Sequence, residues 1–283
     1  MKLEDINIRD PFILPHDGTY YMYGTVLGRG KGFYVYQSKD LEMWSGPQLA
    51  FELPEGFWAT KDFWAPEVHK HNGKFYMFAT MKSEEKCRGT QILVAEEAVG
   101  PFEPITEEPQ TPRDWECLDG TLYLNKEGVP YMVFCHEWLQ IMNGTMCYAR
   151  LSNDFKQLET DSKVMFAAHD YEFVTSINLE KTAYVTDGPF LYRTKNGELL
   201  LLWSSQGKKG YFTSVLKSDN GELDGKWIPQ TMLFEENGGH AMIFQTFEGN
   251  LKLCFHAPNS PDGAERAVIY DLVEIDDELV LKQ

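Results

Sequence analysis

The chain has 283 residues, 43 Asp and Glu against 26 Lys and Arg, and a formal net charge of −17. That balance leaves no basic surface to neutralise phosphates, so nucleic acid and anionic membranes are excluded as expected partners. Hydrophobic residues make up 43% and aromatics 14%, so a folded core is expected and disorder is not.

In chain order, the opening MKLEDINIRDPF has one Lys, then acids, and no apolar stretch of the kind a signal peptide needs. No run of 18 apolar residues follows, so no transmembrane helix is expected. Cys87, Cys117, Cys135, Cys147 and Cys254 contain no CxxC pair. They read as free thiols in a reducing compartment, and the expected location is cytoplasmic. GRGKG at 28–32 has no helix pattern behind it and reads as a loop, not a phosphate cradle.

One hairpin pattern recurs five times: a small or acidic start, a short apolar strand, a turn with Gly, then a strongly apolar strand. It reads RDPFILPHDGTYYMYGT (9–25), APEVHKHNGKFYMFAT (65–80), LDGTLYLNKEGVPYMVFCHEW (118–138), TDGPFLYRTKNGELLLLWSS (186–205) and GGHAMIFQTFEGNLKLCFHAPN (238–259). The turns HDG, HNG, KEG, KNG and FEG are hairpin chemistry. Each copy is followed by a second, weaker hairpin, which gives about four strands per repeat of about 50–60 residues. Four strands per repeat is the signature of a propeller blade. The expected fold is all-β: a five-bladed β-propeller with four-stranded blades, one domain over residues 1–283.

In a propeller the innermost strand of each blade lines the central channel. The strand starts Asp10, Glu67, Asp119, Asp187 and His240 are then expected to converge at one mouth. The returning second strands add Thr25, Met81, His136, Glu137, Ser204, Ser205 and His256, and Trp64, Trp138 and Trp203 are expected to rim it. A single Asp at a strand start is ordinary turn chemistry. Four acids and a His at one phase of five repeats point instead to a site. Crowded carboxyls raise some of their own pKa values, and two facing carboxyls can cleave a glycosidic bond, one activating water and the other protonating the leaving oxygen. Trp faces would stack on sugar rings.

These residues resemble glycoside hydrolase family 43, across essentially the whole chain. The carriers are Arg9-Asp10-Pro11-Phe12, Trp64-Ala65-Pro66-Glu67, Leu118-Asp119-Gly120, Asp187-Gly188-Pro189-Phe190 and Gly239-His240. The resemblance implies an inverting glycosidase acting on arabinose- or xylose-containing oligosaccharides. It implies Asp10 as general base, Asp119 as the residue that orients the acid and adjusts its pKa, and an acid in blade four. The family motif there is Glu-Gly-Pro, and this chain has Asp187-Gly188-Pro189, one methylene shorter. Three readings stay open: Asp187 as acid, Glu137 in its place, or a weak or inactive relative. The resemblance further implies a calcium ion at the axis near His240, held largely through water.

Trp64, Glu67, Trp138, His136, Ser204 and Arg266 complete the expected substrate contacts, Arg266 because it precedes the AVIY strand of the last blade. Two alternatives are a non-catalytic sugar-binding propeller and a galactosidase-type or fructosidase relative. Arg9-Asp10-Pro11 lacks the Asn that opens the fructosidase motif. A phosphorylase would need basic residues at the mouth, and the repeat heads supply none.

Overall fold

The computed structural model describes residues 1–26, 32–177 and 182–282. Most of the GRGKG segment lies outside the described residues. Twenty strands form five antiparallel sheets of four, each in sequence order. The blades span residues 9–52, 61–104, 117–167, 187–234 and 239–281. Three short helical turns are the other regular elements among the described residues. The expected five-bladed, four-stranded β-propeller is what the chain forms.

The first two strands of each blade build the site. They are Arg9–His16 (β1) and Thr19–Thr25 (β2), with β3 (Gly32–Ser38) and β4 (Trp44–Glu52) completing blade 1. Blade 2 has β5 (Lys61–His71), β6 (Lys74–Lys82), β7 (Gly89–Ala95) and β8 (Glu103–Pro104). Blade 3 has β9 (Cys117–Leu124), β10 (Pro130–His136), β11 (Thr145–Arg150) and β12 (Lys163–Ala167). Blade 4 has β13 (Asp187–Arg193), β14 (Leu199–Gly207), β15 (Gly210–Ser218) and β16 (Trp227–Phe234). Blade 5 has β17 (Gly239–Gln245), β18 (Leu251–Ala257), β19 (Arg266–Ile275) and β20 (Glu278–Leu281).

The turns follow their residues. Asp17-Gly18 and Asn72-Gly73 both take positive φ at two successive positions, inside the two-residue loops closed by the His16–Thr19 and His71–Lys74 pairs. That backbone matches strand twist, and Asp, Asn and Gly tolerate it. The aromatic share is used mainly between blades. Tyr23, Phe33, Phe78, Phe134, Phe212 and Phe255 are at most 1% exposed, and full burial of such a ring stabilises by roughly 1.5–3 kcal/mol. Trp203 belongs to this core, edge-on to Phe166 and Phe212. It does not rim the mouth, because β14 runs buried through the middle of its blade and is apolar from Leu199 to Trp203.

The ring closes where the last blade meets the first. Asn7 bridges to Arg266, and the Ile8 amide donates to the Glu265 carbonyl at 3.3 Å. Arg9 pairs with the fully buried Glu265 at 3.0 Å. All five cysteines are free, and four are buried. No helix among the described residues is long and apolar enough to cross a membrane.

Candidate active site

Each innermost strand begins with the same irregularity. Arg9 pairs with Thr25 and Phe12 with Tyr23, leaving Asp10 and Pro11 as a bulge. The same two-residue skip falls at Ala65-Pro66, Asp119-Gly120, Gly188-Pro189 and Ala241 with His240. The first bulge residue is left-handed in every blade: Asp10, Ala65, Asp119, Gly188 and His240 have φ of 50°, 43°, 53°, 53° and 55°. Non-glycine residues rarely sit there, and such strain concentrates at functional sites. The bulge re-aims side chains, so two consecutive residues can face one cavity.

This register corrects the expected single ring of heads. Asp10, Asp119 and His240 do share one row. Asp187 lies one residue earlier, in the row of Arg9, Trp64, Leu118 and Gly239. Glu67 lies two residues later, in the row of Phe12, Thr121, Phe190 and Met242. The cavity of about 310 Å³ is walled by the first two rows: Arg9, Trp64, Leu118 and Asp187, then Asp10, Asp119 and His240, with Thr25, Glu137, Trp138, Tyr211 and Asp262.

The bulges are tied together blade to blade. The Ala65 amide donates to Thr25 Oγ1 at 2.8 Å, the Asp119 amide to Thr80 Oγ1 at 2.8 Å, the His240 amide to Ser204 Oγ at 2.7 Å and the Asp10 amide to His256 Nδ1 at 3.1 Å. Each acceptor sits near the end of the preceding blade's second strand. Blade 3 has Cys135 at that position, paired with Leu118. There the Gly188 amide goes to Asp119 Oδ2 at 3.0 Å, so Asp119 fixes the backbone next to Asp187. Gly188 has no room for a side chain, since a Cβ would lie 2.8 Å from His240 Cγ.

Several expected contacts lie elsewhere. Thr80, not Met81, and Cys135, not His136, return to the bulge level, one residue earlier than expected. Ser204 is fully buried and bonds the His240 amide and Thr213; it positions and does not face the cavity. His136 stacks on Trp115 at 4.3 Å and bonds Gln140. Glu67 is buried deeper, accepting from Thr121 Oγ1 at 2.6 Å and lying 3.2 Å from His69 Nε2. Arg266 is spent on the carbonyls of Glu4, Gly263 and Glu265, tying the N-terminal turn to the last blade. Arg9, Tyr211 and Asp262 stand in the wall without having been expected there.

The charges around the axis sort into opposite states. Burial alone would raise the Asp10 carboxyl. His240 Nδ1 at 3.2 Å, His256 and Arg9 outweigh it, and the Thr25 hydroxyl adds a bond at 2.8 Å. Asp10 is held far below the usual carboxylate range and is ionised. Burial lowers the basicity of His240, but Asp10 and Asp119 reverse this and push it up to about 10. Burial also takes His256 down to about 4, so it carries charge only in the acid range where Asp10 would titrate and faces Asp10 as a neutral ring above it. Asp187 is raised by burial, then by the charge of Asp119, to about 7. Asp119 is raised too, by burial and by Asp10, with His240 opposing. One carboxylate is thus anionic and another retains a proton near neutrality, the division that acid–base cleavage requires.

Glu137 has a different surrounding. Its Oε2 pairs with Arg88 Nη1, and Arg88 Nη2 donates to Asp62 at 2.9 Å. The guanidinium also lies 4.4 Å from the Trp64 ring centroid. Burial raises the Glu137 carboxyl and Arg88 draws it back.

A hard cation such as calcium takes six to eight oxygen ligands. Among the described residues, no group of three His, Cys, Asp or Glu could hold a metal ion, and His240 Nδ1 is engaged with carboxylates. The residues therefore do not form a protein-built calcium cage at His240.

A propeller whose channel mouth gathers Asp10, Asp119 and Asp187 in one cavity, one carboxyl held low and another raised, with Trp64 and Trp138 in the wall, has the features of a glycoside hydrolase. The comparisons with known proteins agree. The family model described as Glycosyl hydrolases family 43 matches residues 5–280. The extracellular exo-α-(1→5)-L-arabinofuranosidase ArbA of Cellvibrio japonicus is 21% identical over 94% of this chain and 79% of its own. Among solved structures, an endo-arabinase from Bacteroides thetaiotaomicron is 38% identical with a TM-score of 0.92, over 98% of both chains. An endo-1,4-β-xylanase from the same organism shares the fold at 24% identity and a TM-score of 0.82, over 98% of this chain and 95% of its own. The chain belongs to glycoside hydrolase family 43. It is a glycosidase of the arabinanase, arabinofuranosidase and xylanase type, and its substrate is a carbohydrate.

Proposed function

We propose that this enzyme hydrolyses arabinose- or xylose-containing oligosaccharides by single displacement with inversion, Asp10 acting as general base and Asp187 as general acid. The observation that carries the reading is the placement of these two carboxyls in one cavity with unlike partners, Asp10 against the His240 imidazole at 3.2 Å and Asp187 against the Tyr211 hydroxyl, beside Asp119. In the forward step Asp10 takes a proton from water as its oxygen attacks the anomeric carbon, while Asp187 gives its proton to the leaving oxygen. Asp119 holds the Gly188 amide and keeps negative charge beside Asp187, which favours the protonated acid. Glu137 is less suited to donate, because its oxygen is already committed to the Arg88 guanidinium. We assign Glu137, Trp64 and Trp138 to the substrate wall. The likeness to the endo-arabinase and to ArbA supports an arabinose-containing substrate. The cavity volume stands at the small end of the range of about 300–1,000 Å³ for ligand pockets, which supports action on short chains.

The test is product analysis on arabino-, xylo- and galacto-oligosaccharides, with proton NMR of the first-formed anomer. The expected result is release of arabinose or xylose units with inverted configuration. A retained anomer would overturn single displacement. The short acid side chain favours a second reading, a sugar-binding propeller, and binding without turnover across the whole panel would establish it.

We propose a calcium ion near the axis beside His240, held largely through its own water and not by protein ligands. A rise in Tm on adding calcium after EDTA treatment supports it; identical unfolding curves overturn it. A cytoplasmic location is likewise proposed, on the five free thiols. ArbA and an endo-arabinanase of Bacillus subtilis, both described as extracellular, weigh against it, and fractionation of the source cells decides.

A further inference from the structure

Tyr211 belongs to none of the repeat motifs, yet it reaches the cavity from β15, the third strand of blade 4. Its hydroxyl donates to Asp187 Oδ2 at 3.0 Å. Its ring lies nearly parallel to His256, with centroids 5.8 Å apart and planes at 19°. His256 in turn accepts the amide of Asp10. The chain makes room for this ring: a Cβ on Gly239 would lie 2.6 Å from Tyr211 Cε1, and the Gly238 amide donates to the Tyr211 carbonyl at 3.0 Å. Burial and the charges of Asp187, Asp10 and Asp119, against Arg9, keep the phenol protonated. Toward Asp187 it is therefore a donor.

We propose that Tyr211 is the positioning residue of the general acid, holding Oδ2 of Asp187 so that Oδ1 carries the proton to the leaving oxygen. This rests on the assignment of Asp187 as acid and adds how a side chain one methylene short is kept in place. As the Oδ1 proton passes to the glycosidic oxygen, Asp187 becomes a carboxylate. The bond from the Tyr211 hydroxyl is then charge-assisted and strengthens, so it favours the transition state over the bound substrate.

Tyr211→Phe keeps the ring against His256 and removes only the hydroxyl. The expected result is a kcat on unactivated oligosaccharides lower by about 10–100-fold, the scale of a misplaced catalytic group, with KM little changed and a much smaller loss on an activated aryl glycoside. The groups facing Asp187 are Asp119, His240, Tyr211 and Asp10. Of these, the Tyr211 hydroxyl favours the ionised form through a hydrogen bond, so its removal should move the basic limb of kcat/KM to higher pH. In an Asp187→Asn background the same change should add nothing. Equal losses on both substrates, an unmoved basic limb, or a further loss on top of Asp187→Asn would each overturn the proposal. If Asp187→Asn alone weakens both substrates equally, the acid assignment itself fails and this inference falls with it.

Discussion

Asp187→Asn is expected to lower kcat/KM on an unactivated arabino-oligosaccharide by about 10²–10⁴-fold, the usual contribution of a general acid, while an aryl glycoside with a good leaving group loses far less. The asymmetry follows from what the acid does. An alkoxide leaves poorly without a proton, and a nitrophenolate hardly needs one. The pH profile should change in the same variant. Burial and the neighbouring Asp119 raise Asp187 to about 7. Activity that depends on its proton is therefore present below that pH and declines as pH rises through it. Asn does not titrate, so the basic limb assigned to Asp187 should vanish. Steady-state kinetics on the two substrate classes, each across pH, would show this. A loss of the same size on both classes would point to misplaced substrate and not to a missing proton.

Asp10→Asn is expected to cost about 10²–10⁴-fold on both substrate classes alike, because water must be activated whichever group leaves. Asn suits the position: it tolerates the left-handed backbone that Asp10 adopts at φ 50°, and the main-chain bond to His256 stays available. The backbone should therefore hold, with the unfolding midpoint lowered by roughly 10 °C, since removing one partner of a buried ion pair costs about 3–5 kcal/mol and 1 kcal/mol moves the midpoint of a domain this size by about 2–4 °C. His240 should titrate lower in this variant, since Asp10 is the leading cause that holds it charged. NMR titration of that imidazole would check the electrostatic half of the argument separately from the kinetics. Retention of activity in Asp10→Asn would remove the base assignment.

The architecture was legible in the sequence because hairpin turns and apolar strands repeat locally. Asp17-Gly18 and Asn72-Gly73 announce their turns by chemistry that depends on no distant contact. The register of the site was harder to read. Aligning the repeats on their acids put Asp187 and Glu67 level with Asp10, whereas the bulges align on another signal. Pro11, Pro66 and Pro189 occupy the second bulge position in three blades, and matching on proline would have placed Ala65 and Gly188 beside Asp10. Trp203 shows the limit of residue type alone. Nothing local distinguishes a Trp packed between blades from one facing a sugar, and only the burial of β14 decides. Tyr211 and Arg88 were invisible for the same reason. They come from outside the two inner strands of their blades: Tyr211 enters the cavity, and Arg88 backs the wall through Glu137 and Trp64, by tertiary packing that no spacing encodes.

The bond from the Asp10 amide to His256 joins the first blade to the last. Elsewhere around the propeller, consecutive blades are joined by a short stretch of chain. Here, 246 residues separate the two partners. The contact that closes the circle is therefore also one that holds the Asp10 backbone. Anything that loosens the seam between the last blade and the first unseats Asp10 as well.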